Sequence, residues 1–145
     1  MNLRAALVLL AAAVPELASG HAVVQPADSS VGTTQQYTLR VPNEKDVPTV
    51  AVRLQFPAEL EVATVDEPAG WHLTLDRDAT GRIVSATWTG SLPPKADARF
   101  TFTARNPAAA VTVTWNVVQT YDGVLIVEWT GPAGSRTPAS HTDIH

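Results

Sequence analysis

Apolar and polar residues alternate with a period of two through much of this chain. Tyr37-Thr38-Leu39-Arg40-Val41 alternates and stops at Pro42-Asn43. Val50 to Phe56 places Val50, Val52, Leu54 and Phe56 on one face before Pro57. Trp71 to Leu75 alternates again and runs into a polar turn from Asp76 to Gly81, and Ile83 to Trp88 and Phe100 to Thr103 repeat the pattern. Val111 to Val117 is the longest clean run, and Asp122-Gly123 is a hairpin turn signal before Val124 to Trp129. β-Branched residues fill the runs and Pro or Gly separates them. No stretch keeps a helical period over three turns. The pattern predicts an all-β domain, an immunoglobulin-like antiparallel β-sandwich of seven or so strands.

The first twenty residues differ in kind. Arg4 is followed by a continuous apolar run from Ala5 to Val14, then Pro15-Glu16-Leu17 and the small residues Ala18-Ser19-Gly20. Small residues three and one before a bond mark a signal-peptidase site, here before His21. The run falls short of the roughly 20 residues a membrane span requires. Residues 1–20 are therefore expected to be a signal peptide. Residues 21–132 are expected to form the sandwich, and 133–145 a flexible tail.

Composition narrows the chemistry. The formal charge is -4, without the basic face that nucleic-acid binding calls for, and no later segment is long and apolar enough to cross a membrane. Cysteine is absent and the single methionine is Met1. Disulfides, thiolate metal sites and blue-copper chemistry are excluded, so any metal must be held by nitrogen and oxygen.

Cleavage before His21 would make histidine the first residue of the exported protein. Its free α-amine and ring Nδ1 can then grip one metal ion in a six-membered chelate. Such donors suit Cu(II), and because the metal displaces protons, binding weakens as pH falls. Glu44 follows a strand in the turn Pro42-Asn43-Glu44-Lys45, where a carboxylate can reach a neighbouring edge; on its own it reads as a solvated loop acid. Of the four tryptophans, Trp115 is expected in the core, and Trp129, just before Thr130-Gly131-Pro132, at the rim. An indole N–H only donates, so Trp129 would lie over a cation or exclude water rather than act as an ordinary ligand. His72, between Trp71 and Leu73, is expected to face solvent, and His141 and His145 belong to the tail.

These elements, in order, resemble the YcnI-like family of bacterial exported copper-binding domains, formerly a domain of unknown function (DUF1775). The matching stretches are His21-Ala22-Val23-Val24-Gln25-Pro26, Tyr37 through Glu44, Trp88-Thr89-Gly90, and Gln119-Thr120-Tyr121-Asp122-Gly123 leading to Trp129-Thr130-Gly131-Pro132. The resemblance implies a monohistidine brace: Cu(II) on the amine and Nδ1 of His21, with Glu44 as carboxylate and Trp129 beside the metal. It also implies copper acquisition or homeostasis at the cell envelope without an enzymatic role, in a secreted or periplasmic protein partnered by an envelope copper transporter or chaperone. Many family members carry a C-terminal membrane helix, and this sequence shows none.

Two other classes compete. A lytic polysaccharide monooxygenase also begins with a copper-chelating histidine, but it needs a second histidine in the site, and His72 is the sole candidate inside the domain. A metal-free interaction sandwich, accessory to an envelope transporter, is the other.

Overall fold

The structure, a computed structural model, describes residues 20–145. Apart from Gly20, the expected signal peptide lies outside the described residues. Eleven strands follow one another: β1 (Val23–Gln25), β2 (Asp28–Ser29), β3 (Thr34–Pro42), β4 (Thr49–Gln55), β5 (Glu61–Val65), β6 (His72–Arg77), β7 (Ile83–Leu92), β8 (Asp97–Arg105), β9 (Val111–Tyr121), β10 (Ile126–Trp129) and β11 (Ser140–Ile144). One sheet has the order β1-β3-β8-β5. The other runs β2-β11-β9-β4-β7-β6, with β10 also paired to β9. Every pair is antiparallel except β11 with β2, which is parallel.

The period-two pattern places the core between the sheets. Tyr37, Leu39 and Val41 of β3 and Phe100, Phe102 and Ala104 of β8 face Val52, Leu54, Trp88, Val113, Trp115 and Val117 of the larger sheet. Trp88 stacks on Phe100 with centroids 4.5 Å apart, and Phe102 meets Trp115 edge-on at 5.6 Å. Such pairs add about 0.5–1.5 kcal/mol beyond their buried area. Gly90 has a packing reason: a Cβ there would come within 2.7 Å of the Trp71 ring.

The sequence-based strands all recur, most of them longer than predicted. Four more join them: β1, β2, β5 and β11. These are short or lack clean alternation, and their pairing partners lie far away in the chain. The β4 pattern also shifts, because a bulge between Thr49 and Ala51 turns Thr49 inward and leaves Val50 half-buried. The expected loose tail over 133–145 needs correcting. Residues 140–144 form β11, which lies between β2 and β9 rather than at an edge. Its Thr142 and Ile144 are buried, and Thr142 Oγ1 accepts from Trp115 Nε1 at 2.9 Å while donating to the Pro26 carbonyl. The domain thus extends past 132. Among the described residues no helix is long and apolar enough to cross a membrane.

Candidate metal centre at the amino end of the first strand

β1 pairs with β3 so that Val23 lies opposite Arg40 and Val24 opposite Leu39. Continued two residues towards the amino end, that register sets His21 against Pro42, the last residue of β3. The chain at Gly20 then passes the loop that carries Glu44. The approach is close: a Cβ built on Gly20 would overlap the Glu44 carboxylate. A larger residue there would push the Glu44 side chain aside, and the carboxylate stands beside the backbone that leads into His21.

The Glu44 loop is shaped by Asn43, which is buried. Its amide nitrogen donates to the carbonyls of Val47 (2.9 Å) and Leu92 (3.0 Å). Its Oδ1 accepts from the Lys45 N–H at 2.9 Å, an Asx turn that folds the loop back on itself. Glu44 itself is exposed at the loop's tip.

Trp129 closes the site from β10. Its ring lies 5.6 Å from the half-buried His21 ring, tilted by 51°. The expectation that Trp129 would stand at the rim holds for its place at the strand end, but the side chain is covered, at 7% exposure. Its Nε1 donates to Gln119 Oε1 at 3.0 Å. With the N–H engaged, the remainder of the indole is available as an apolar wall beside His21.

Gln119, which sequence alone does not mark as a site residue, ties the site together from β9. It is fully buried, and its Nε2 donates both to the Pro42 carbonyl (3.0 Å) and to Thr49 Oγ1 (2.8 Å). One amide therefore joins Pro42, the inward-turned Thr49 and the indole. A signal was present in the sequence: Val113, Trp115, Val117 and Tyr121 share the inward phase of β9, and Gln119 is the polar member of that series. Tyr121, also buried, has its hydroxyl pKa pushed up, chiefly by burial, with a hydrogen bond from Thr49 opposing and the Glu44 charge adding to the rise. The Lys45 ammonium sits 5.5 Å from the centre of the Tyr121 ring.

The other histidines are elsewhere. His72 is on edge strand β6 with its side chain 77% exposed, facing solvent as expected, and its Nδ1 is 3.9 Å from Glu67. His141 Nδ1 is 3.2 Å from Thr114 Oγ1, and His145 Nδ1 is 4.0 Å from Asp28. Among the described residues no three or more His, Asp or Glu side chains converge to hold a metal ion. A brace does not require that many: it draws one nitrogen from the main chain, one from a ring and an oxygen from one carboxylate.

Residues 21–143 match the family described as Domain of unknown function (DUF1775). The chain is 37% identical over 130 residues to the "Copper-binding protein CutI" of Bacillus subtilis (strain 168), a match that covers 88% of this chain and 63% of that protein. The chain thus spans less than two thirds of that relative's length. A crystal structure of an uncharacterized protein from Nocardia farcinica with an immunoglobulin-like fold superposes with a TM-score of 0.76 at 25% identity, covering 87% of this chain and 99% of that one. A cohesin module from a family 33 glycoside hydrolase of Clostridium perfringens shares the fold alone, with a TM-score of 0.56 at 9% identity over 87% and 96% of the two chains. The chain belongs to the DUF1775 family, the YcnI-like family its sequence resembles, and has an immunoglobulin-like β-sandwich fold.

Proposed function

We propose that this protein is an exported copper-binding domain that holds one Cu(II) at His21 and serves copper acquisition or homeostasis outside the cytoplasm. Cleavage before His21 frees the α-amine, which chelates the metal together with Nδ1. Glu44 supplies the oxygen ligand, and Trp129 covers one side of the ion without ligating it. The site has no catalytic role. Copper reaches it from, or leaves it for, an envelope transporter or chaperone.

The observation that carries this reading is the meeting of His21, Glu44 and Trp129. They come from the entry to β1, the β3–β4 loop and β10, yet the His21 and Trp129 rings adjoin, and Gly20, whose place the freed amine of His21 takes on cleavage, lies against the Glu44 carboxylate. The donor set fits the ion: two neutral nitrogens and a carboxylate oxygen, with no sulfur competing for Cu(I). The relative named as copper-binding supports the same choice of metal.

Titration of Cu(II) into protein beginning at His21, followed by electron paramagnetic resonance and tryptophan fluorescence, tests it. One tight Cu(II) per chain is expected, with nitrogen hyperfine coupling and quenched emission. Protein with one glycine added before His21 has an amide in place of the amine and should lose the tight site. Equal affinity in the extended protein would overturn the brace.

A further inference from the structure

Lys95 occupies a backbone conformation that lysine rarely adopts. Its φ is 65°, and it follows Pro94 in the turn Pro93-Pro94-Lys95-Ala96, which is closed by Ala96 N–H donating to the Pro93 carbonyl at 3.3 Å. Proline second and a positive φ third is the pattern of a type II turn, whose third position favours glycine. A side chain there carries a conformational cost that glycine would avoid.

The lysine side chain makes a contact that glycine could not. Its Nζ donates to the main-chain carbonyl of Glu44 at 2.9 Å and lies 4.0 Å from the Asp46 carboxylate. The same turn is stitched to the residue before Glu44: Lys95 N–H donates to the Asn43 carbonyl at 2.8 Å, and Asn43 N–H to the Ala96 carbonyl at 2.9 Å. The β7–β8 turn thus grips the Glu44 loop by its backbone. Both neighbouring ammonium groups are also engaged away from the Glu44 carboxylate, Lys95 on the carbonyl and Lys45 over Tyr121. Among the described residues no cation pairs with that carboxylate, so none competes with a metal for it.

We propose that Lys95 is a positioning residue for the metal site, held in a strained turn so that its ammonium fixes the Glu44 loop through the main-chain carbonyl while leaving the carboxylate open to the ion. The proposal rests on the copper reading above. It explains why lysine stands where the turn favours glycine: turn stability is given up for a fixed ligand.

Lys95→Gly separates the two roles, because it suits the turn and removes only the ammonium contact. The thermal midpoint should stay level or rise. Cu(II) affinity should fall about fivefold, the loss of one charge-assisted hydrogen bond on an exposed loop, and amide exchange at Glu44 to Val47 should quicken in the metal-free protein. In a Glu44→Gln background the same substitution should cost no further affinity. A midpoint several degrees lower would make Lys95 a fold residue and overturn the proposal. Unchanged affinity beside a tight wild-type site would overturn it and leave the copper reading standing, as would equal losses in both backgrounds. Absence of a tight site in the wild type would sink both.

Discussion

The indole nitrogen of Trp129 donates to Gln119 Oε1, and the nitrogen of that same amide donates to the carbonyl of Pro42, the residue that the β1–β3 register sets against His21. A polar side chain sealed in the sandwich thereby fixes both sides of the candidate metal site relative to each other. Gln119→Leu would keep the volume, orphan the indole N–H and take the amide donor from the Pro42 carbonyl and from Thr49 Oγ1. Each buried polar group left unpaired costs about 1–3 kcal/mol. The variant is expected to unfold at clearly lower urea concentration and to bind Cu(II) more weakly, with less of its tryptophan emission quenched.

Glu44→Gln tests the oxygen ligand without disturbing the fold. The side chain is exposed, and the loop takes its shape from Asn43 and Lys95. Stability should stay within about 0.5 kcal/mol of wild type. Cu(II) affinity should fall by about tenfold or more, since a neutral amide is a poorer partner for the ion than a carboxylate. Unmoved affinity in the titration would remove Glu44 from the ligand set.

Stability should decline at alkaline pH. Burial raises the hydroxyl pKa of Tyr37 and Tyr121 above the ordinary value of 10.0. Between that unfolded value and the higher folded one, the native state binds more protons than the unfolded state, so stability falls as pH rises. The contribution is complete below about pH 10 and is lost on passing through the folded pKa values. Tyr121→Phe should flatten part of this decline in denaturation curves collected from pH 8 to 12. An identical decline in the variant would assign the effect elsewhere.

Val124 is the clearest place to add stability. It is 87% exposed and has φ 79° directly after Gly123, also at positive φ, in the β9–β10 turn. A β-branched residue is strained there, and it loses almost no packing when removed. Val124→Gly is expected to raise the unfolding free energy by about 0.5–1 kcal/mol, measured by chemical denaturation, with Cu(II) affinity unchanged.

Removing residues 140–145 should be severe. It deletes β11, takes the buried Ile144 from the core, strips β2 of its partner and orphans Trp115 Nε1. The combined loss is about 4 kcal/mol or more, enough to abolish cooperative unfolding in a domain of ordinary stability. A truncated protein with a sharp, near-native melt would contradict the place of β11 in the sheet.

Period-two alternation by itself determined the fold class, the longer strands and the inward residues, because one buried face imposes a repeat that survives whatever the strand pairs with. Trp115 in the core and His72 in solvent were legible in this way. The proposal for His21 starts from a different local feature, the small residues Ala18 and Gly20 before it. Tertiary structure alone decided the rest. Residues 133–145 carry turn-rich, polar sequence, and Ser140 to Ile144 become a strand because β9 and β2 complete its hydrogen bonds on both sides. Glu44 looks like any loop acid until the register of β1 on β3 brings Gly20 against its carboxylate. Gln119 shows in the sequence as a polar break in an apolar phase, but two of its three partners, Pro42 and Thr49, are remote in the chain, and a bulge turns Thr49 inward. Long-range pairing sets which side chains meet, and no local pattern encodes it.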